Sequence, residues 1–113
     1  VPDRILRRLF TVALPLALCA LAATPVLSQD TEAGREKAKA CAMCHGAMGM
    51  ATNPGAPNLA GQPQVYLIKE LKNYRSGQRA DPVMNVIAKP LTDAEIENLA
   101  AWYSSIEIEV KAR

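Results

Sequence analysis

The sequence predicts an all-α fold, and three observations carry that prediction. Apolar residues recur at helical spacing in two stretches, 65–74 and 96–103. Thr92-Asp93-Ala94-Glu95 has the form of a helix-capping box. No convincing strand lies on either side of the paired cysteines near position 41. With 113 residues the chain has room for one domain around one small core.

The N-terminal stretch stands apart from that domain. Arg4, Arg7 and Arg8 precede an apolar run from Leu9 to Ala23, broken only by Thr11 and Pro15, which is the layout of a secretory leader. The run is short for a membrane span, which needs about 20 apolar residues, and the polar Ser28-Gln29-Asp30 closes it. Val26 and Ser28 place small residues three and one before a cut after Ser28. An uncleaved anchor and a lipoprotein signal at Cys19 are the alternatives; the bulky Leu18 in front of Cys19 does not favour the second. The expectation is a cleavable signal peptide over 1–28, a periplasmic product, and one domain over 29–113.

Removing the leader changes the charge. The whole chain carries a net +2, whereas residues 29–113 hold ten basic and ten acidic side chains. The basic excess therefore belongs to the export signal, and a nucleic-acid or anionic-membrane surface is not indicated. Within the neutral total, 61–90 carries five basic and two acidic residues and 91–113 the reverse, five acidic and two basic. That dipole is suited to orienting a partner, or is simply two solvated helix faces.

A first helix is expected from about Asp30 or Thr31, either of which can cap it, with Glu32 near its positive end. Gly34 lowers helix propensity there, which suits a close helix crossing or a tolerated surface position. From Gly46 to Gln62 the turn signals Asn53-Pro54-Gly55 and Pro57-Asn58-Leu59 predict a loop. Pro63 suits a first helical turn. Val65, Leu67, Ile68, Leu71 and Tyr74 then give the apolar face of a second long helix, which Gly77 ends. Lys69, Lys72 and Arg75 form its expected solvated face. A loop stiffened by Pro82 carries Met84. The last helix follows Thr92, with Ile96, Leu99, Ala100 and Tyr103 on one face and Trp102 beside them. The alternating tail Ile106-Glu107-Ile108-Glu109-Val110 reads as a frayed end or a small strand.

The chemistry is concentrated in Cys41-Ala42-Met43-Cys44-His45. This C-x-x-C-H pattern reads as c-type haem attachment: two thiols form thioethers to the vinyl carbons, and the adjacent imidazole reaches the iron. A zinc site lacks a fourth ligand and a second cysteine pair. A thioredoxin-like dithiol lacks its βαβ context, and a plain disulfide leaves His45 unexplained; these remain the alternatives. His45 is the one histidine in the chain, so the sixth iron ligand must be another residue type, and methionine suits electron transfer. Met43, Met48 and Met50 lie too close to His45 in sequence to pass around the ring, and Met48 and Met50 are expected to pack. Met84, 39 residues further on, has the reach; its alternative is a gap-filling core methionine. A domain of about 85 residues with four aromatics has a thin core, and a buried macrocycle would give its helices and its Pro-rich loop a common surface.

Taken in order, Cys41-x-x-Cys44-His45-Gly46, Pro57-Asn58-Leu59-Ala60-Gly61-Gln62, Met84-x-x-Ile87-Ala88 and Leu99-Ala100-Ala101-Trp102-Tyr103 resemble the class I cytochromes c, closest to the bacterial cytochrome c4/c553-like group. The resemblance covers 31–105. It implies a small class I cytochrome c fold wrapped around one haem c. Cys41 and Cys44 would be thioether sites, His45 and Met84 the axial iron ligands, and the Pro57 carbonyl the acceptor for the His45 Nδ1 proton. It also implies that the first and last helices cross near Gly34 and Trp102-Tyr103. Cytochromes c4 have two haem domains and this chain has one motif, so a monohaem relative is the better description.

The function expected is single-electron transfer by a monomer, without substrate chemistry of its own. Its partners would be membrane cytochrome complexes, terminal oxidases or periplasmic dehydrogenases. One rival is a haem subunit of a larger oxidoreductase, docked through Ile106, Ile108 and Val110. The other is a sensor or peroxidase in which Met84 leaves the iron open.

Overall fold

A computed structural model describes residues 29–112. The expected leader over 1–28 therefore lies outside the described residues. Among the described residues five helices follow in order: α1 (Thr31–Ala38), α2 (Ala42–His45), α3 (Gln64–Ser76), α4 (Met84–Ala88) and α5 (Asp93–Ser105), with a 3-10 turn at Lys39–Cys41 joining α1 to α2. No strand occurs among the described residues, and the 106–112 tail is irregular.

The helices start and stop where local chemistry provides partners. Asp30 caps α1, its carboxylate accepting the Glu32 and Ala33 amides at 2.9 and 3.1 Å. Thr92 and Glu95 form the full capping box of α5. Gly77 ends α3 at φ 82°, where a left-handed residue is needed and glycine is unstrained. Pro63 precedes α3 as its cap residue instead of lying in the first turn; with ψ at 130° it is still extended, and its carbonyl accepts the Tyr66 and Leu67 amides.

α1 packs on α5, α3 on α5, and α4 on α3. Ile96, Leu99, Ala100 and Tyr103 of α5 are buried together with Ala38, Leu67, Ala88 and Leu91. This is the core face expected from the spacing. The crossing of α1 and α5 depends on Gly34: a Cβ there would stand 2.0 Å from the Asn98 carbonyl oxygen and 2.9 Å from the Trp102 Cβ. The same crossing carries a Lys37–Glu95 ion pair at 2.6 Å and a bond from the Asp30 amide to Asn98 Oδ1 at 2.9 Å.

Three expectations need correction. Val65 is 76% exposed, because it lies in the first turn of α3, while Leu67 is buried and Ile68, Leu71 and Tyr74 pack at the core edge. Arg75 is not a simple solvated residue. Its guanidinium donates to the Leu91 carbonyl at 2.9 Å and to Asp93 at 2.6 Å, joining α3 to the start of α5. Lys72 also reaches Asp93, and Arg79 pairs with Glu70, so part of the charge asymmetry is neutralised internally. Finally, Met84 is not in a loop: it is the first residue of α4, a helix of five residues that the sequence pattern did not announce.

Candidate haem site

The C-x-x-C-H segment is wound into the 3-10 turn and α2, which brings Cys41, Cys44 and His45 onto one short helical stretch. Glycine then reverses the chain. Gly46 has φ 78°, and a Cβ on it would lie 1.9 Å from the Met50 carbonyl oxygen, so the loop returns directly over the helix end. The Cys44 carbonyl accepts the Thr52 and Asn53 amides at 3.2 Å each, and the Thr52 hydroxyl donates to the Met43 carbonyl at 3.1 Å. Further on, the Gly49 carbonyl accepts the Leu59 amide at 2.7 Å, and Asn58 Oδ1 accepts the Ala51 amide at 2.7 Å.

These contacts fix the position of Pro57. Its carbonyl oxygen lies 2.8 Å from His45 Nδ1. A carbonyl can only accept, so Nδ1 carries the proton, and in a neutral ring Nε2 keeps the lone pair that a metal requires. His45 is buried, at 7% exposure, so its ring is held by packing as well as by this bond.

Cys41 and Cys44 are not joined by a disulfide. Burial pushes the Cys41 thiol up, outweighing the opposing effects of the Tyr103 hydroxyl and the Lys37 charge, which does not suit a reactive redox dithiol. Burial likewise raises Tyr103, with Cys41 adding to the effect; its hydroxyl and the Trp102 indole nitrogen are buried without a well-formed hydrogen bond. No group of three or more His, Cys, Asp or Glu side chains that could hold a metal ion is assembled among the described residues.

Met84 is half-buried at the start of α4. Asp81 Oδ1 accepts its amide at 2.7 Å and that of Val83 at 2.9 Å. Met43, Met48 and Met50 are 88, 54 and 53% exposed, which corrects the expectation that Met48 and Met50 pack in the polypeptide core. Val83 and Ile87, flanking Met84, are also exposed at 57 and 43%. The segments that carry the proposed ligands thus present apolar surface that the chain itself leaves unburied, as a bound macrocycle needs. The donor set fits the group as well: two thiols and an oriented imidazole on one short helix, and a thioether on a separately anchored one.

The cytochrome c family model matches residues 31–107. The chain belongs to the cytochrome c family. As a member it is a class I, c4-like cytochrome with one covalently attached haem c, and Cys41, Cys44 and His45 supply the attachment motif. It is 42% identical to cytochrome c-554(548) of Halomonas halodenitrificans over 81 residues, covering 69% of this chain and 98% of that protein. It is 36% identical to cytochrome c4 of Pseudomonas aeruginosa, covering 72% of this chain but 40% of that one. A solved thiosulfate dehydrogenase from Marichromatium purpuratum superposes with a TM-score of 0.66 at 35% identity, over 74% of this chain and 20% of that chain. The likeness thus runs the length of a one-domain relative and covers a minor part of the larger ones. Relatives of this type are electron carriers, and electron transfer is the function the family membership supports.

Sequence reasoning located Cys41, Cys44 and His45 from their spacing, and Pro57 through the resemblance. It missed Asp81 and Asn85, which bond to the backbone around Met84. The Asp81-Pro82 pair was a usable signal, since an Asp before a turn commonly accepts amides two and three residues on.

Proposed function

We propose that the protein is an exported, periplasmic, monomeric carrier that passes single electrons between redox proteins and has no substrate reaction of its own. The observation that carries this reading is the His45–Pro57 bond at 2.8 Å, which fixes the imidazole tautomer for axial ligation. When bound, the haem supplies one-electron exchange between ferrous and ferric iron. His45 would offer Nε2 to the iron, the Pro57 carbonyl would hold the ring and strengthen it as a donor, and the Met84 thioether would be the second protein ligand. A closed pair of protein ligands suits electron transfer, because small molecules then have no open position on the metal. The leader-like sequence of 1–28 supports export. The partial likeness to a thiosulfate dehydrogenase supports partners of the dehydrogenase class, alongside membrane cytochrome complexes and terminal oxidases.

Of the three tail residues expected to dock, Ile106 packs against the core instead, while Ile108 and Val110, 57 and 93% exposed, support a second reading, a haem subunit docked in a larger oxidoreductase. Recovery of the exported protein as a monomer separates the carrier from that subunit, which would co-purify with a stoichiometric partner.

The deciding experiment is the absorption spectrum of the holoprotein, oxidised and reduced, with carbon monoxide added to the reduced form. A ferric methionine-to-iron band and no response to carbon monoxide are expected. In Met84→Ala the band disappears, carbon monoxide binds and the reduction potential falls, while Met50→Ala behaves like the parent. An immediate carbon monoxide response in the parent would replace this reading by an open-site sensor or peroxidase.

A further inference from the structure

α4 has five residues, too few to hold its own place by helix propensity or by an apolar stripe. Yet its first residue must offer its side chain at a fixed position if it is to be an iron ligand, since the bond from a thioether to iron is weak. Ala88 ties the far end of α4 into the core; what anchors its first turn, where Met84 lies, is a set of side-chain bonds centred on Asn85. The Asn85 Nδ2 group donates to the Tyr74 carbonyl at 2.6 Å and to the Arg79 carbonyl at 2.8 Å, and its Oδ1 accepts the Asp81 amide at 2.7 Å. Two carbonyls on one side and an amide on the other leave a single amide orientation that satisfies all three.

Each end of this network is itself fixed. Tyr74 belongs to the last turn of α3 and packs at the core edge. Arg79 is held by its amide on the Asn73 carbonyl at 3.1 Å, by its guanidinium 4.7 Å from the Tyr74 ring centre, and by pairing with Glu70. On the other side, Asp81 accepts the Asn85 amide on its backbone carbonyl and the Val83 and Met84 amides on its carboxylate. An unbroken path therefore runs from the end of α3 through Asn85 and Asp81 to the backbone of Met84.

We propose that Asn85 is a positioning residue for Met84, locking the start of α4 to the end of α3 so that the thioether is pre-placed for the iron and resists displacement by outside ligands. This rests on the reading of Met84 as the second axial ligand. Alanine at 85 removes all three bonds at once, freeing the Arg79 carbonyl and the Asp81 amide and leaving the Tyr74 carbonyl with the Gly77 amide alone, and it leaves every apolar contact of the α1–α5 core in place. Pre-organisation of this kind acts on the ligand-exchange equilibrium more than on global folding.

The test is titration of the ferric holoprotein with imidazole, following loss of the methionine-to-iron band, together with the reduction potential. In Asn85→Ala the imidazole concentration for half displacement is expected to fall about tenfold, the lower end of what losing the Asn85 hydrogen bonds implies, and the potential to fall with it. Asn85→Ser, too short to reach both carbonyls, serves the same test if the alanine variant matures poorly. Glu95→Ala is the control: it removes half of the α5 capping box and lowers the thermal midpoint without moving the imidazole titration. An Asn85 variant that titrates like the parent, while Met84→Ala has lost the band, overturns the positioning role alone. A band that survives in Met84→Ala overturns the ligand assignment beneath it.

Discussion

At the α1–α5 crossing, position is set by apolar burial and by the side chain that Gly34 lacks. Around Met84 it is set by polar side chains that bond to backbone. Ile96 and Leu99 are almost fully buried in the first region, and burial of such a side chain stabilises by roughly 1.5–3 kcal/mol. In the second region Val83, Val86 and Ile87 are exposed, and each hydrogen bond of Asp81 and Asn85 contributes on the order of 1 kcal/mol. The frame therefore owes its stability to packing that tolerates no insertion. The ligand segment has only Ala88 in the core, and the place of its first turn depends on a few directional bonds that can be lost without unfolding the frame. A protein that must exchange electrons without rearranging benefits from this division, because the frame fixes His45 and Pro57 while a small, separately anchored helix fixes the second ligand.

The largest effect expected from breaking this contrast is at Gly34. In Gly34→Ala the added Cβ meets the Asn98 carbonyl at 2.0 Å, and backbone cannot rotate away as a side chain tip can. Overpacking of this kind costs about 1–3 kcal/mol, against which the gain in helix propensity returns up to about 1 kcal/mol. Chemical denaturation of the holoprotein should show a net loss of about 1–2 kcal/mol. The methionine-to-iron band of the folded fraction should be unchanged. Loss of that band at full stability would mean that the two regions are coupled in a way their separate anchoring does not suggest.

Legibility differs between the regions for the same reason. The capping box, the α5 face and the role of Gly77 are local patterns, readable because the partners sit three or four residues apart. Gly34 was readable as an anomaly in a helix, with two explanations left open, and the Asn98 carbonyl decides between them. α4 spans too few residues for a periodicity, and its anchors at Tyr74 and Arg79 are 11 and 6 residues away from Asn85. Nothing in the local sequence of Asn85 names those acceptors. Arg75 was misread for a related cause: a basic residue at three-residue spacing looks solvated until the chain returns with Asp93 and the Leu91 carbonyl beside it. The His45–Pro57 contact was expected only from the family resemblance, since a carbonyl carries no sequence signature of its own.

A smaller effect sharpens the comparison on the His45 side. Asn58 Oδ1 holds the Ala51 amide at 2.7 Å, and the Asn58 carbonyl accepts Gln62 Nε2 at 2.6 Å. Asn58→Ala removes the first of these bonds next to Pro57 and should cost about 1 kcal/mol. Its more informative readout is the iron. A looser Pro57 carbonyl weakens its hold on the Nδ1 proton, the imidazole becomes a poorer donor, and the reduction potential should rise. A potential equal to the parent's would show that Pro57 is held by the proline ring and the Gly49 bonds without Asn58.

The smallest effect belongs to the charges that decorate the frame. The Lys37 ammonium, together with the Thr92 amide, holds the Glu95 carboxyl below its ordinary value, and Arg75 does the same for Asp93. A carboxylate with a depressed folded value adds stability above its unfolded value, about 4.3 for Glu, and loses it as pH falls through the folded value. Glu95→Gln keeps an acceptor for the Thr92 amide, so the capping box survives and the charge alone is removed. At neutral pH the change should be about 0.5 kcal/mol or less, because the pair is partly exposed and screened. As pH falls from about 4.3 through the folded value the variant and the parent should converge, and the acid limb of the parent's stability curve should be the steeper of the two. A parallel pair of curves would mean that Lys37–Glu95 adds nothing to the crossing and that burial around Gly34 sets the α1–α5 register unaided. In either case the methionine-to-iron band should follow the folded fraction alone, since neither Glu95 nor Lys37 belongs to the path that leads through Asn85 to Met84.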